Sequence, residues 1–424
     1  MARNDKDLKP DENFVARFSL AGLVTFSTAL VLAGGLLAYG IKLLTSPEGR
    51  TGSLYRTEKS SADLSPTEVP PWGELATADI TLEAPEEYVG FELKNVKPAA
   101  WNFANTQPEQ VRAVMVSCGL EPAQIDRALS PALASVTGGG TVVHPDEALV
   151  FSLKPGSRAR LYRALSKLPD NHYMQFPFVF PGQTFEECFR DHDVPHEIEE
   201  QIRRLTYVRG DAKCFSDFEI VMQQLASTAD KIALLKTLSR QSAVIARLRV
   251  RPDSDVEKIL GYWSAAPGVR VKDLRPLLES MTRIPEGSTI SVLYLLPPFA
   301  RQRLYTFPLA GQQNDPVMDC HWSTMNFFNE VPDNRFTDTA YTVAYLRSNY
   351  YTIAKPSNYG DIILFLDNNG NAIHSAVYIA ADLVFTKNGN NFAQPWKLTH
   401  LKSLTARYEL DAPERLMVWR RKDS

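Results

Sequence analysis

Cys320 and His374 are the two residues whose types and order suit nucleophilic catalysis by a thiol. Cys320 lies in Asp319-Cys320-His321-Trp322, and the apolar spacing at Trp322, Met325 and Phe328 predicts a helix that begins at or just after the cysteine, with Asp319 near its cap. A thiolate is the reactive form, and the free amides and dipole of a helix start favour it. The same amides can receive the oxyanion of an attacked carbonyl. A thiolate also needs a base. Gly360 to Leu366 reads as a strand, Asp367-Asn368-Asn369-Gly370 as a turn, and Ile373 to Ile379 as a second strand with His374 at its start. A third stretch, Leu383 to Thr386, ends at Lys387-Asn388-Gly389. Such a meander aligns the histidine with a polar residue on the next strand, the third-member logic of thiol and serine triads. Asn388 is the expected third member, because a neutral amide orients the imidazole without repelling its protonated form. Lys387 stands as the alternative, and His321 as a second imidazole beside the thiol.

Each residue also has a plain structural reading. A lone cysteine on an apolar helix is usually core, and a lone strand histidine is usually a satisfied polar group. Their joint appearance, in this order and with Gly360-Asp361 ahead of the strand, favours the pair. The other cysteines differ. Cys118 ends an apolar helical phrase, while Cys188 and Cys214 are able to bridge only in an oxidising compartment. Four cysteines without a Cys-x-x-Cys pair do not make a disulfide framework. Gly138-Gly139-Gly140 lacks the Gly-Lys-Ser/Thr of a phosphate loop. Asp191-His192-Asp193 with His196 and Glu197 offers metal-type ligands, but Asp193 and Pro195 read as the start of a helix. No metal and no cofactor is therefore expected.

The elements that must position this pair occupy only part of the chain. A length of 424 residues fits two folded domains plus extra segments, and 44% hydrophobic with 22% charged residues is globular. A formal net charge of −3, without a basic stripe, argues against nucleic acid as a partner. Residues 1–17 form an N-terminal tail. Phe18 to Ile41 contains no charged residue and is long enough to span a bilayer, with Arg17 and Lys42 at its edges. It exceeds the apolar core of a cleaved signal peptide, so a single-pass membrane location is expected, with the catalytic mass outside the cytoplasm. Residues 42–85, rich in Ser, Thr, Pro and Glu, read as a flexible linker. Residues 86–300 carry mainly helical signals. Ser216-Asp217-Phe218-Glu219 and Ser254-Asp255-Val256-Glu257 are capping boxes, and Pro108-Glu109 opens a third helix. Strand signals are confined to Thr141-Val142-Val143 and Ala148 to Leu153. This region is expected to pack, gate substrate or bind a protein partner.

The phrases of residues 319–404 resemble the NlpC-type cell-wall peptidases, a branch of the papain-like cysteine hydrolases. The matching elements are Asp319-Cys320, then Gly360-Asp361-Ile362-Ile363-Leu364-Phe365, then His374 with Tyr378, and a polar residue at Lys387 or Asn388. The resemblance covers about a fifth of the chain. It departs at His321-Trp322, where the family has Ser-Gly, and at the third polar residue, where it commonly has His. It implies a papain-like domain over residues 301–424, a helix packed on an antiparallel sheet. The expected fold class is thus α+β: an N-terminal transmembrane helix, a mainly helical middle region and this C-terminal domain. The expected function is that of a membrane-anchored cysteine hydrolase cleaving an amide bond, with peptide or peptidoglycan-like substrates implied by the resemblance. The alternatives are a silent papain-like binding or assembly module, and a thiol acyltransferase or lipid hydrolase.

Overall fold

Short runs of β-branched and aromatic residues, separated by turns, build the sheets of this protein. The computed structural model describes residues 70–422 apart from 94–95, 181–184, 211, 265–268, 309–317, 368–369, 390–392 and 409–414. Strand β1 (Glu74–Leu82) comes first, inside the stretch expected to be linker. Strands β2 (Trp101–Ala104), β3 (Ala134–Thr137) and β4 (Gly140–Val143) form one antiparallel sheet in the order β2-β4-β3. Strands β5 (Phe178–Phe180), β6 (Tyr207–Arg209) and β7 (Ala212–Phe215) form another, ordered β5-β7-β6. Strand β8 (Gln241–Val250) then returns antiparallel to the full length of β1, and β9 (Ser288–Ser291) completes the sheet β1-β8-β9.

These sheets correct the expected fold class. The chain is mixed α/β with several antiparallel sheets, and its helix-rich middle region carries sheets of its own. Among the described residues no helix is long and apolar enough to cross a membrane. The span expected at 18–41 and the tail at 1–17 lie outside the described residues, as does most of the expected linker. The strands were obscured because three or four residues give too short an alternation to read. Ala148 to Leu153 shows the reverse error. Asp146 accepts a hydrogen bond from the Leu149 amide and caps a helix, Glu147–Ser152, where a strand is expected. In the second capping box Asp255, not Ser254, caps the helix, taking the Lys258 amide at 3.0 Å.

The apolar core divides near residue 240. One cluster runs from Ala84 to Leu238 and includes Trp101, Tyr162 and Phe218. Inside it, buried Asp217 accepts a hydrogen bond from Tyr162 and lies 3.5 Å from Arg158. The second cluster joins β8 and the helices after it to the C-terminal sheet, through Trp263, Phe299, Trp322 and Phe385.

That C-terminal sheet has six antiparallel strands: β10 (Tyr350–Ile353), β11 (Ile362–Leu366), β12 (Ala372–Ala380), β13 (Leu383–Lys387), β14 (Trp396–His400) and β15 (Arg415–Arg421), ordered β10-β15-β11-β12-β13-β14. Successive side chains face opposite sides. Val377, Ile379, Phe385 and Leu398 pack with Trp322 and Met325 of the helix Cys320–Met325. Ile363, Phe365, Ala376 and Val384 pack with Leu404 and Tyr408 of the helix Leu401–Tyr408. Both faces of the central strands are covered, which is why β11 and β12 read as continuous apolar runs.

Gly360-Asp361 fixes how β11 enters this sheet. Gly360 has φ +94°, and a Cβ there would stand 2.5 Å from the Phe328 ring. Asp361 is buried and accepts the amides of Ser357 and Asn358 at 2.8 and 2.9 Å. It also takes a two-pronged bond from Arg420 on β15, at 2.8 and 2.7 Å. Both residues are thus explained by strand anchoring. Replacing Gly360 by Ala adds left-handed strain and a ring clash, and should cost about 2–4 kcal/mol of stability in urea unfolding. Adding Phe328→Leu should restore part of that loss; no recovery in the double variant would show that the clash is not the cause.

Candidate thiol–imidazole site

The cysteine is positioned by a helix clamped to the sheet through polar groups. Asp319 caps it, its carboxylate accepting the Trp322 amide at 2.8 Å. Ser323 Oγ donates to the Asp319 carbonyl at 2.7 Å and accepts the indole N–H of Trp396 at 2.8 Å. Ser375 Oγ on β12 donates to Thr324 Oγ1 at 3.1 Å. Trp322 packs edge-on against Phe299, while the Arg303 guanidinium lies 4.1 Å over the Phe299 ring. Burial pulls the pKa of Arg303 down. These contacts leave Cys320 4% exposed.

His374 is fully buried (0% exposed) on β12. Tyr408 stacks on its ring at 4.3 Å between centroids, and Phe365 meets it edge-on at 5.4 Å. Its Nε2 lies 2.8 Å from Thr386 Oγ1 on β13. That hydroxyl also lies 3.2 Å from the Ser375 carbonyl, and with its one proton given there it accepts from the ring. In that arrangement the ring proton sits on Nε2 and Nδ1 is the basic nitrogen. Nδ1 has no hydrogen bond of ordinary geometry. The Cys320 thiol is nonetheless its close electrostatic neighbour. Burial lowers the His374 pKa; the charge and hydrogen-bonding capacity of Cys320 oppose that, and His321 and Arg407 add to the lowering.

The end of β13 distributes three polar side chains by alternation. Thr386 faces the imidazole. Lys387 alternates away from it, with Asp319 and Cys320 as its electrostatic neighbours. Its ammonium donates to the Gly389 carbonyl at 2.8 Å and sits 5.9 Å from the Trp396 ring. Burial brings its pKa down to about 8, with Cys320 and Asp319 acting to hold it up. Asn388 is 5% exposed, and neither its Oδ1 nor its Nδ2 has a hydrogen-bond partner among the described residues. The structure therefore brings Cys320 and His374 together, while the ring contact expected of Asn388 is made by Thr386. The signal for Thr386 was register: with Val377 paired to Phe385, Thr386 shares the His374 face one step along the neighbouring strand. That register depends on the bulge between Tyr378 and Ala380, which no residue type announces.

The remaining candidates are placed elsewhere. His321 is half-buried beside the pair and acts on His374 only through its charge. Cys118, Cys188 and Cys214 are buried free thiols, and burial pushes Cys188 up to about 11. His192 accepts the Val194 amide at 3.0 Å and lies 3.4 Å from Glu199. Among the described residues no three of His, Cys, Asp and Glu converge as metal ligands do. No family model matches the chain, and no curated protein or solved structure does.

The buried neutral imidazole sets an acid limit on stability. Its folded pKa lies below the unfolded value of 6.5, so below that pH the unfolded state binds the extra proton. Stability is complete above about pH 6.5 and falls as pH drops toward the folded pKa. Urea unfolding between pH 7 and 5 should show wild type losing about 1.4 kcal/mol per pH unit more than His374→Gln at the steepest point. Parallel profiles would mean that His374 is charged in the folded protein.

Proposed function

We propose that the C-terminal region is a thiol hydrolase that opens an amide bond through Cys320 and His374. The observation carrying this reading is the contact of His374 Nε2 with Thr386 beside Cys320: a proton on Nε2 leaves Nδ1 able to accept the proton of the thiol. Cys320 passes its proton to Nδ1 and attacks the carbonyl carbon. The imidazolium then protonates the departing amine, leaving an acyl group on sulfur. Water, deprotonated by the same nitrogen, releases the acid and restores the thiol. The Lys387 ammonium, charged at pH 7 with its pKa near 8, supports the thiolate from the other side. The amides at the start of the Cys320 helix are the donors for the oxyanion. The resemblance to NlpC-type peptidases supports a peptide or peptidoglycan-like substrate.

One observation favours a second reading, a silent binding module. Cys320 and His374 are both buried, at 4% and 0% exposure, so substrate needs an opening step. Exposure of the full chain to p-nitrophenyl acetate, a generic acyl donor, separates the two. The hydrolase reading expects an acetyl adduct on Cys320, found by peptide mapping. It should be absent in Cys320→Ala and form 10²-fold or more slowly in His374→Gln. An adduct rate indifferent to His374, or acetylation confined to other residues, would leave the silent module standing.

A further inference from the structure

A cleft of about 550 Å³, open solvent included, lies where β8, β14 and the helix Leu401–Tyr408 meet. Its polar lining consists mainly of Arg240, Asn388, Lys397, Thr399, Ser403 and Arg407, and no carboxylate lines it. The cations are not equivalent. Arg240 is satisfied by Glu83 at 3.1 Å and by the carbonyls of Cys188, Arg190 and Asp191. Lys397 is buried and donates to the Ser242 carbonyl at 2.7 Å, with no acidic partner among the described residues. Burial and the neighbouring Arg407 bring its pKa down to about 7. Arg407 has no hydrogen-bond or ion-pair partner among the described residues. Asn388 adds a buried amide, also unpartnered, on the cleft wall.

Each of these features opposes folding when the cleft is empty. Two cations face each other without a counter-charge, and an amide is desolvated without a partner. An oxyanion answers all of them together: it neutralises Lys397 and Arg407 and accepts from Asn388 Nδ2 and the hydroxyls of Thr399 and Ser403. We propose that this cleft is a binding site for a small oxyanion, a carboxylate or phosphate group, gripped by Lys397, Arg407 and Asn388. The cleft adjoins the imidazole, since Asn388 follows Thr386 on the same face and Arg407 acts electrostatically on His374. Combined with the proposed hydrolase, it would seat the anionic end of the substrate. That assignment rests on the thiol reading, whereas the binding itself does not.

Calorimetric titration of the full chain with inorganic phosphate and with acetate, at constant ionic strength, tests the site. At least one probe should bind saturably, and which one identifies the group. Affinity should fall tenfold or more in Arg407→Gln and in Lys397→Met, and remain unchanged in Cys320→Ala. Asn388→Leu guards against mere misfolding: it should bind less well yet melt no lower than wild type, because the amide it removes makes no bond. Absence of saturable binding by either probe, or equal binding in the folded variants, would overturn the proposal. Because Cys320→Ala lacks the nucleophile but keeps the cleft, its titration separates loss of anion binding from failure of the hydrolase reading.

Discussion

With the Thr386 hydroxyl giving its one proton to the Ser375 carbonyl, its hydrogen bond to His374 runs from the ring to the hydroxyl oxygen. In that arrangement Nδ1 of a wholly buried ring is the basic nitrogen, and Cys320 is the ring's electrostatic neighbour. The register of the sheet is what allows this bond. β12 and β13 must pair so that residues 374 and 386 share a face, and the bulge near Tyr378 sets that pairing. The Cys320 helix is clamped to the sheet by Ser323, Thr324 and Trp396.

Against ordinary folding logic, this region concentrates buried polar groups. Burial lowers the pKa values of His374, Lys387 and Lys397, and Asn388 has no hydrogen-bond partner among the described residues. Each lowers stability, and apolar residues of similar shape would fold better. Sites that bind or react are where such costs are retained.

Much of the local structure near the pair is legible in the sequence. Cys320 heads a helix because Asp319 is a good cap and the apolar spacing follows, and His374 lies in the strand its neighbours announce. The role of Gly360-Asp361 is legible as a motif but not as a cause; the ring of Phe328 and the guanidinium of Arg420 come from distant parts of the chain. Thr386 was invisible because cross-strand facing depends on register, and register on a bulge. In the middle region the helices were legible and most of the strands were not. Its helices carry caps and Pro starts, whereas its strands run for three or four residues and draw their stability from tertiary pairing.

The most direct test is the protonation pattern of the His374 ring, read from its ¹⁵N resonances in histidine-labelled protein at pH 7 and assigned by loss in His374→Gln. The account predicts a neutral ring protonated at Nε2, with Nδ1 bare. A ring protonated at Nδ1, or at both nitrogens, would contradict it, because no base would then stand beside Cys320.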